Sequence, residues 1–296
     1  MKATFLGALG ILVGVSVSAV VGAGRADDGP PATAGLYEFE ALRARLDDPK
    51  LRILDARPKD AFEKGHLPGA VWVDESAAQK LASKPDGLAD AEAWAAWTAP
   101  LAIGPDMDVV VYDGGRQLSA ARVWWLLGYL GVPRVGLMNG NFGAWEKAGH
   151  PVSFDVRKVD ARPFAVAFRK ERRATRGEVL ASLGDANAQV LDARSRDEYS
   201  GAEAKSKRGG HIPRACHLEW KDVVDENGRF LDAPALKTKF AAAGIRQGAT
   251  VISHCQGGGR ASVNAFVLER LGYQARNYYL GWSDWGNAEE TPVEKK

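Results

Sequence analysis

Cys255 is the residue whose neighbours could best support covalent chemistry. Residues 254–260 read HCQGGGR; they follow a short apolar run and precede a helical pattern that starts near Ala261. In an open α/β sheet, ligands bind at the carboxyl ends of the strands. A cysteine at such a place can act as a nucleophile, since the thiolate is the reactive form of the side chain. The segment therefore predicts a nucleophilic Cys255.

The residues after the cysteine could form a cradle for an anion. Gly257, Gly258 and Gly259 can adopt backbone conformations that a Cβ would resist, so successive N–H groups could point at the sulfur. Such a nest at a helix N-terminus carries partial positive charge and would stabilise a thiolate, a persulfide or a sulfonate-like substrate. We expect Gln256 and the three glycines to bind the substrate, and Arg260 to add a positive charge.

A buried structural cysteine before a Gly-rich turn is the alternative interpretation, because unpaired cysteines are often core residues. The order of features here is far more specific than a lone cysteine: an apolar run, a cysteine, glycines, an arginine and a helix. This order favours the interpretation of Cys255 as a nucleophile. Cys216, the other cysteine, follows a repeated motif in an expected buried strand and is interpreted as a core residue. We expect both cysteines to be unpaired in the working protein, since pairing would block a catalytic thiol.

An internal repeat predicts the architecture. Three patterns occur twice: an apolar run ending in Asp-Ala-Arg, a Gly-His-(Leu/Ile)-Pro signature, and the apolar run before the cysteine loop. They lie at residues 53–57 and 190–194, at 65–70 and 210–215, and at 109–116 and 250–257. Copies about 140 residues apart indicate two similar domains, because solenoid repeats are far shorter. The second copy carries an insertion near 202–207, which we expect on a surface loop.

Each copy alternates β-rich runs with helical patterns. Residues 51–54 and 109–112 predict buried strands, whereas 120–130 and 261–271 carry apolar residues at helical spacing. This alternation implies crossover connections and a mostly parallel sheet with helices on both faces. The predicted fold class is therefore α/β, with two tandem domains.

The domain boundaries follow from the repeat and from local signals. We expect a signal peptide at 1–26, a first domain at 36–152, a linker at 153–174 and a second domain at 175–290. Thr175 and Glu178 fit a helix capping box at the start of the second domain. The linker is rich in arginine and lysine. It could lie across the domain interface, but a solvated surface segment is the favoured interpretation.

The beginning of the chain has the layout of a secretory signal. Lys2 precedes an uncharged stretch at 3–24, and small residues precede Asp27. We expect cleavage after Ala26, or alternatively after Ala23; an uncleaved membrane anchor is the other interpretation. The prediction is a periplasmic or otherwise exported protein with no stable membrane association after cleavage.

Charge and motif content argue against several functions. The chain has 39 Lys and Arg and 37 Asp and Glu, and residues 1–26 contain two of the basic residues and no acidic ones. The remaining chain is formally neutral, whereas a nucleic-acid binder is expected to be basic. The histidines lack ligand spacing and there is no Cys-x-x-Cys, so no metal is expected. The glycine run lacks the Lys-Ser/Thr of a phosphate loop, so no nucleotide cofactor is expected either.

The two copies resemble rhodanese domains. Residues 36–287 are similar to the tandem-domain thiosulfate and 3-mercaptopyruvate sulfurtransferases. In that family the first domain has usually lost its cysteine, and Asp113 stands here where Cys255 stands in the second copy. The resemblance implies that Cys255 takes sulfur from a small-molecule donor as a persulfide and passes it to an acceptor such as cyanide or a thiol. It also implies that Arg194 faces the active-site anion, with pairing to Asp192 or Asp197 as the structural alternative.

Other residues near the motifs are assigned weaker roles. His66 and His211 belong to a signature that also occurs in the copy without cysteine, so we interpret them as structural. His254 is a poor candidate for a base, because neighbours on a strand point to opposite faces. Trp282 and Trp285 could form a wall of the pocket or pack in the core.

Several alternatives stay open at this stage. Four residues separate Cys255 from Arg260, and a phosphatase loop of this kind needs five, so a phosphatase is disfavoured. A non-catalytic persulfide carrier or anion-binding protein would have the same loop. Thiosulfate is the favoured donor, because the sulfurtransferases that prefer it resemble this chain in carrying a positive charge in the loop; 3-mercaptopyruvate is the alternative. A monomer is expected, since two similar domains can pack together.

Overall fold

The protein is described by a computed structural model that covers Met1 and residues 34–295. Apart from Met1, the signal peptide predicted at 1–26 lies outside the described residues. The helices and strands form two successive α/β domains, and each domain contains one sheet in which all strand pairs are parallel. The predicted fold class is confirmed.

The first domain is built on a five-stranded sheet with the order β1-β5-β4-β2-β3. Its elements are β1 (Gly35–Tyr37), α1 (Phe39–Arg43), β2 (Leu51–Asp55), α2 (Lys59–Glu63), β3 (Val71–Trp72), α3 (Glu75–Ala82), α4 (Ala91–Thr98), β4 (Asp108–Tyr112), α5 (Leu118–Tyr129), β5 (Val135–Met138) and α6 (Phe142–Lys147).

The second domain repeats this plan on a four-stranded sheet with the order β7-β6-β8-β9. Its elements are α7 (Arg176–Ser182), β6 (Ala188–Asp192), α8 (Arg196–Ser200), β7 (Cys216–His217), α9 (Ala233–Ala242), β8 (Thr250–His254), α10 (Gly259–Arg270), β9 (Gln274–Tyr278) and α11 (Gly281–Trp285). At the edge that β1 occupies in the first domain, Arg173 makes a single parallel bridge to Asn277 of β9.

The central strands are buried on both faces. In β4, Val109 and Val111 belong to one apolar cluster, and Val110 and Tyr112 belong to another. In a strand, successive side chains point to opposite faces, so this division means that both faces of the sheet are covered. The runs predicted as strands at 51–54 and 109–112 are β2 and β4, and the helical patterns at 120–130 and 261–271 are α5 and α10.

The two domains share one continuous core. It includes side chains of α5 from the first domain and of α10 from the second. At their contact, the rings of Trp124 and Phe266 meet edge to face with centroids 5.0 Å apart. Trp125 stacks on Tyr279 at the same distance. Apolar burial of this kind couples the positions of the two domains.

The linker is only partly a solvated segment. Residues 155–158 are exposed, as the favoured interpretation expected. Further along, Arg172 is buried, lies over the ring of Trp124 and forms an ion pair of 2.8 Å with Glu269 of α10. This end of the linker crosses the interface, so the surface interpretation is wrong there.

The helix capping box predicted at the start of the second domain is present. Thr175 caps α7, and its side chain and that of Glu178 form the reciprocal capping box. Among the described residues, no helix has the length and apolar character needed to cross a membrane.

Candidate active site

Cys255 lies at the carboxyl end of the central strand of the second domain. It directly follows β8, which pairs with β6 on one side and β9 on the other. The side chain is buried in a small apolar cluster with Ala193 and Ala261, against Trp220. This is the sheet edge at which parallel α/β folds bind their ligands.

The loop after Cys255 is fixed through its carbonyl oxygens. The oxygen of Cys255 accepts a hydrogen bond from the N–H of Trp282 (2.7 Å), and that of Gln256 accepts one from the N–H of Ser283 (3.0 Å). The oxygen of Gly257 accepts one from Nη1 of Arg122 (2.9 Å).

These three bonds also orient the N–H groups of the loop. A peptide unit is planar and trans, so fixing a carbonyl oxygen turns the N–H of the next residue in the opposite direction. The directions of the N–H groups of Gln256, Gly257 and Gly258 are therefore restricted. An anion-binding nest requires N–H groups with fixed directions.

The three glycines serve different purposes. Gly258 has φ +83°, so it alone of the three has the positive φ that favours glycine. A Cβ at Gly258 would also overlap the ring of Tyr279, and one at Gly259 would overlap the guanidinium of Arg122. At Gly257 a Cβ would meet open space. The expectation that all three allow an unusual backbone is correct for Gly258, while Gly259 provides space for a neighbour.

Arg260 lies in the first turn of α10 and is bound by a carboxylate. Its Nη1 and Nη2 donate to the two oxygens of Glu198 at 2.5 and 2.9 Å. Burial raises the pKa of Glu198, but the hydrogen bonds and charge of Arg260 outweigh burial and hold it at about 2. Burial lowers the pKa of Arg260, while its hydrogen bonds to Glu198 and the negative charges of Glu198 and Asp192 raise it above its usual value. Arg260 is therefore a permanent cation close to Cys255, with Glu198 as its counterion.

The insertion predicted on the surface lies against the cysteine loop. Nε2 of Gln256 donates to the carbonyl of Lys205 (3.3 Å) and to Oγ of Ser206 (3.2 Å). The Gln256 side chain therefore holds the insertion, and the expectation that Gln256 binds the substrate stays a prediction. Nζ of Lys205 lies 3.6 Å from Glu198, which places a second cation beside the Arg260 pair.

Arg194 pairs with a buried carboxylate, and the substrate-binding role expected for it stays a prediction. Its Nε and Nη2 bind both oxygens of the buried Asp192, and Nη2 also donates to the carbonyl of Gly210 (2.7 Å). Only 1% of the residue is exposed, and its guanidinium lies 4.3 Å from the ring centroid of Trp282. The structural alternative, pairing with Asp192, is what the structure shows. The physical reason is that a buried carboxylate needs a counterion.

Three histidines, His66, His211 and His254, are part of the core. Nδ1 of His66 lies 3.0 Å from the carbonyl of Phe62, and Nδ1 of His211 lies 2.8 Å from that of Tyr199; each imidazole stacks on the same residue's ring. His254 is fully buried, and desolvation lowers its pKa to about 4 although Asp192 opposes this shift. It is neutral near pH 7.

Comparison with known proteins gives the family. A family model described as the rhodanese-like domain matches residues 38–148 and again residues 175–288. The chain belongs to the rhodanese family.

Relatives of this rhodanese are sulfurtransferases, and the chain is a sulfurtransferase. It is 32% identical to the thiosulfate sulfurtransferase of Azotobacter vinelandii, over 86% of this chain and 94% of the relative. It is 29% identical to the 3-mercaptopyruvate sulfurtransferase of Escherichia coli K12, over 86% and 95% of the two chains. The substrates of such enzymes are small sulfur compounds.

Solved structures agree on the fold. SseA from Escherichia coli superposes with a TM-score of 0.73 and 26% identity, covering 83% of this chain and 98% of that one. The anaerobic ergothioneine biosynthesis enzyme from Chlorobium limicola superposes with a TM-score of 0.78 over 88% and 70% of the two chains. At 21% identity, that second likeness concerns the fold alone.

The first rhodanese domain fills its own loop with a carboxylate. Asp113 follows β4, as Cys255 follows β8, and is 4% exposed. Its oxygens accept N–H hydrogen bonds from Gly115 (2.9 Å), Ser119 (3.0 Å) and Ala120 (3.1 Å). The side chain occupies the donors that a bound anion would use. Asp113 thus occupies the place in the first domain that Cys255 occupies in the second.

Sequence reasoning missed Glu198, Lys205, Arg122 and Tyr279 at this site. For Glu198 a signal existed. The repeated motif has Ala61 in the copy without cysteine and Glu198 in the copy with it. A charge that is specific to the rhodanese domain with a nucleophile indicates a role beside that nucleophile. Arg122 belongs to the other domain, so no local pattern connects it to Cys255.

Proposed function

We propose that this rhodanese transfers sulfane sulfur from thiosulfate to a thiophilic acceptor through a persulfide on Cys255. The thiolate attacks the outer sulfur of thiosulfate and forms an S–S bond, while the bond to the sulfonate sulfur breaks and sulfite leaves with the electron pair. Cyanide or a thiol then attacks the outer sulfur of the persulfide. This second step regenerates the thiolate, so the cycle needs no metal and no redox cofactor.

The observation that carries the proposal is the construction of the cysteine loop. After Cys255, Trp282, Ser283 and Arg122 donate hydrogen bonds to three successive carbonyl oxygens of the loop. These bonds restrict the directions of the three backbone N–H groups that follow Cys255. Such donors stabilise the negative charge that both the thiolate and the persulfide carry. The expectation that residues 256–259 bind the substrate is retained in this form, as backbone donors.

Thiosulfate is the favoured donor because Arg260 places a permanent cation at the end of the cysteine loop. Arg260 pairs with Glu198, and Lys205 lies close to both Glu198 and Glu203, so two carboxylates match these two cations. The thiosulfate sulfurtransferases of Azotobacter vinelandii and Pseudomonas aeruginosa, each 32% identical, support this choice. The 3-mercaptopyruvate sulfurtransferase of Escherichia coli keeps 3-mercaptopyruvate as the alternative donor.

Intact-mass spectrometry tests the proposal directly. Reduced protein, Cys255→Ala and Cys216→Ala are each exposed briefly to thiosulfate or 3-mercaptopyruvate. We expect the wild type and Cys216→Ala to gain one sulfur, and Cys255→Ala to gain none. Folded wild type that gains no sulfur from either donor would overturn the proposal.

A sulfur carrier is the second candidate function. The chain is 30% identical to the sulfur carrier protein TtuD of Thermus thermophilus, over 88% of this chain and 96% of that one. Thiocyanate formed from thiosulfate and cyanide separates the two functions. Many turnovers per molecule support an enzyme, whereas a single turnover with persistent persulfide supports a carrier.

We further propose that the protein is exported and monomeric. Export is based on the pattern of residues 1–26 alone. N-terminal sequencing of the protein from a periplasmic fraction should begin at Asp27, or at Gly24 if cleavage follows Ala23. Light scattering of that material should give the mass of one chain.

A further inference from the structure

Arg122 brings a buried cation from the first domain to the cysteine loop of the second. It lies on α5 and is 7% exposed. Its Nη1 donates to the carbonyl oxygen of Gly257 (2.9 Å) and to the hydroxyl of Tyr279 (3.0 Å). Its Nε forms an ion pair with Glu75 of α3, so the guanidinium is anchored in its own domain.

The cysteine loop is shaped around this side chain. A Cβ at Gly259 would overlap the Arg122 guanidinium, and a Cβ at Gly258 would overlap the ring of Tyr279. Two of the three glycines are therefore in close contact with Arg122 or with the tyrosine that it binds. Glycine at 259, where φ is not positive, is accounted for by this close approach.

We propose that Arg122 is a positioning residue for sulfur transfer at Cys255: it fixes the Gly257–Gly258 peptide so that the Gly258 N–H faces the sulfur, and its charge stabilises the thiolate. The inference rests on the proposed role of Cys255. A planar peptide transmits the first effect, since the carbonyl and the following N–H point in opposite directions. The first domain, which carries no sulfur itself, thus completes the catalytic loop.

The Arg122 guanidinium keeps its positive charge although it is buried. Burial lowers the pKa of Arg122, but Tyr279, Glu75 and Cys255 raise it, and the net shift is upward.

The experiment uses Cys216→Ala as the reference protein and compares it with the same protein carrying in addition Arg122→Met or Arg122→Lys. Cys255 is then the only thiol in each protein. The pH profile of iodoacetamide alkylation is measured, together with the rate of persulfide loading by thiosulfate. We expect the alkylation midpoint of Arg122→Met to rise by about one pH unit. Its loading rate should fall at least about tenfold. Arg122→Lys should recover much of the midpoint, because it keeps the charge, but less of the loading rate, because it loses the forked geometry.

Arg172→Met is the matched control. Arg172 is also a buried arginine at the domain interface, but its ion pair is with Glu269, in the last turn of α10. Its loss should lower the thermal stability without moving the alkylation midpoint. If Arg122→Met keeps the wild-type midpoint and loading rate and only loses stability like Arg172→Met, the positioning role is overturned.

The proposal can be separated from the function on which it rests. A wild type that gains no sulfur would remove the role of Cys255, whereas a loaded wild type with unchanged Arg122 variants would remove only the inference. If Arg122→Met fails to fold, the folded Arg122→Lys variant decides: slower loading at constant substrate affinity supports positioning, and wild-type loading contradicts it.

Discussion

Two arginines in equivalent places show how both domains use the same side chain. Arg57 binds Asp55 and the carbonyl of Gly65, and Arg194 binds Asp192 and the carbonyl of Gly210. The pairs have the same atoms and nearly the same distances, although only one domain has a cysteine. We expect an interaction that is also present in the domain without a cysteine to stabilise the fold.

Arg57→Met and Arg194→Met should therefore have the same effect. Each leaves a buried carboxylate without its counterion, so we expect each to cost about 3–5 kcal/mol of unfolding free energy in urea denaturation. The KM for thiosulfate should stay close to wild type in folded Arg194→Met. A donor-binding role would instead raise KM by about tenfold or more, since a charge-assisted hydrogen bond contributes about 1.5–3 kcal/mol.

His254 predicts how stability depends on pH. Burial lowers its pKa in the folded protein to about 4, below the value of about 6.5 for an unfolded chain. The unfolded state then binds more protons between these values, so stability is complete above about pH 6.5 and falls as the pH drops toward 4.

Urea denaturation at pH 7.5, 6 and 5 measures this slope, which we expect to reach at most about 1.4 kcal/mol per pH unit. His254→Gln should flatten it. Glu198, with a folded pKa of about 2, loses its contribution only at lower pH, below about 4.5. An equal slope in the variant would contradict the assignment to His254.

At the scale of elements, the cysteine loop is held between α10, α11 and the strand that precedes it. Trp282 and Ser283 of α11 donate to the carbonyls of Cys255 and Gln256. Gly281, with φ +54°, allows this approach, because a Cβ there would overlap the Cys255 carbonyl. Trp282 and Trp285 of the same helix are fully buried, so they pack in the core. The loop geometry is a property of this set of elements.

Gly258→Ala and Gly257→Ala make a matched pair for the loop. Alanine at 258 must adopt φ +83° and overlap Tyr279, so we expect a loss of about 2–4 kcal/mol in thermal or urea denaturation. Alanine at 257 meets open space and should change stability by less than about 1 kcal/mol. Equal stability of the two variants would contradict the expectation that alanine is strained at position 258 and tolerated at position 257.

At the scale of the whole molecule, the interface between α5 and α10 joins the apolar cores of the two domains, and we expect it to make them unfold together. Trp124 packs on Phe266 across this interface, whereas Trp145 is buried in a cluster formed within the first domain. Both indoles donate a hydrogen bond to a carbonyl, of Val135 and Pro151 respectively. The two tryptophans therefore differ mainly in whether they join the domains.

Scanning calorimetry of Trp124→Ala and Trp145→Ala uses this difference. We expect each to lower stability by about 3–5 kcal/mol. Trp145→Ala should still unfold in a single transition, while Trp124→Ala should broaden or divide the transition, because the domains lose their shared core. A single sharp transition in both would mean that other contacts are sufficient for coupling.

The sequence by itself determined the two-domain α/β architecture and the place of Cys255 at the end of a strand. The repeat, the alternation of strand and helix patterns, the capping box at Thr175 and the cysteine at a strand end are all local signals. Local backbone preference and hydrophobic periodicity control such features, so they can be predicted without knowing the packing.

Only the tertiary structure decided which charged groups meet. Residue types could not tell whether Arg194 binds an anion or Asp192, and no pattern joined Arg260 to Glu198. The contact of Arg122 with Gly257 spans 135 positions and two domains. Many arginines could satisfy each carboxylate or carbonyl, and the choice among them depends on how the sheets and helices pack.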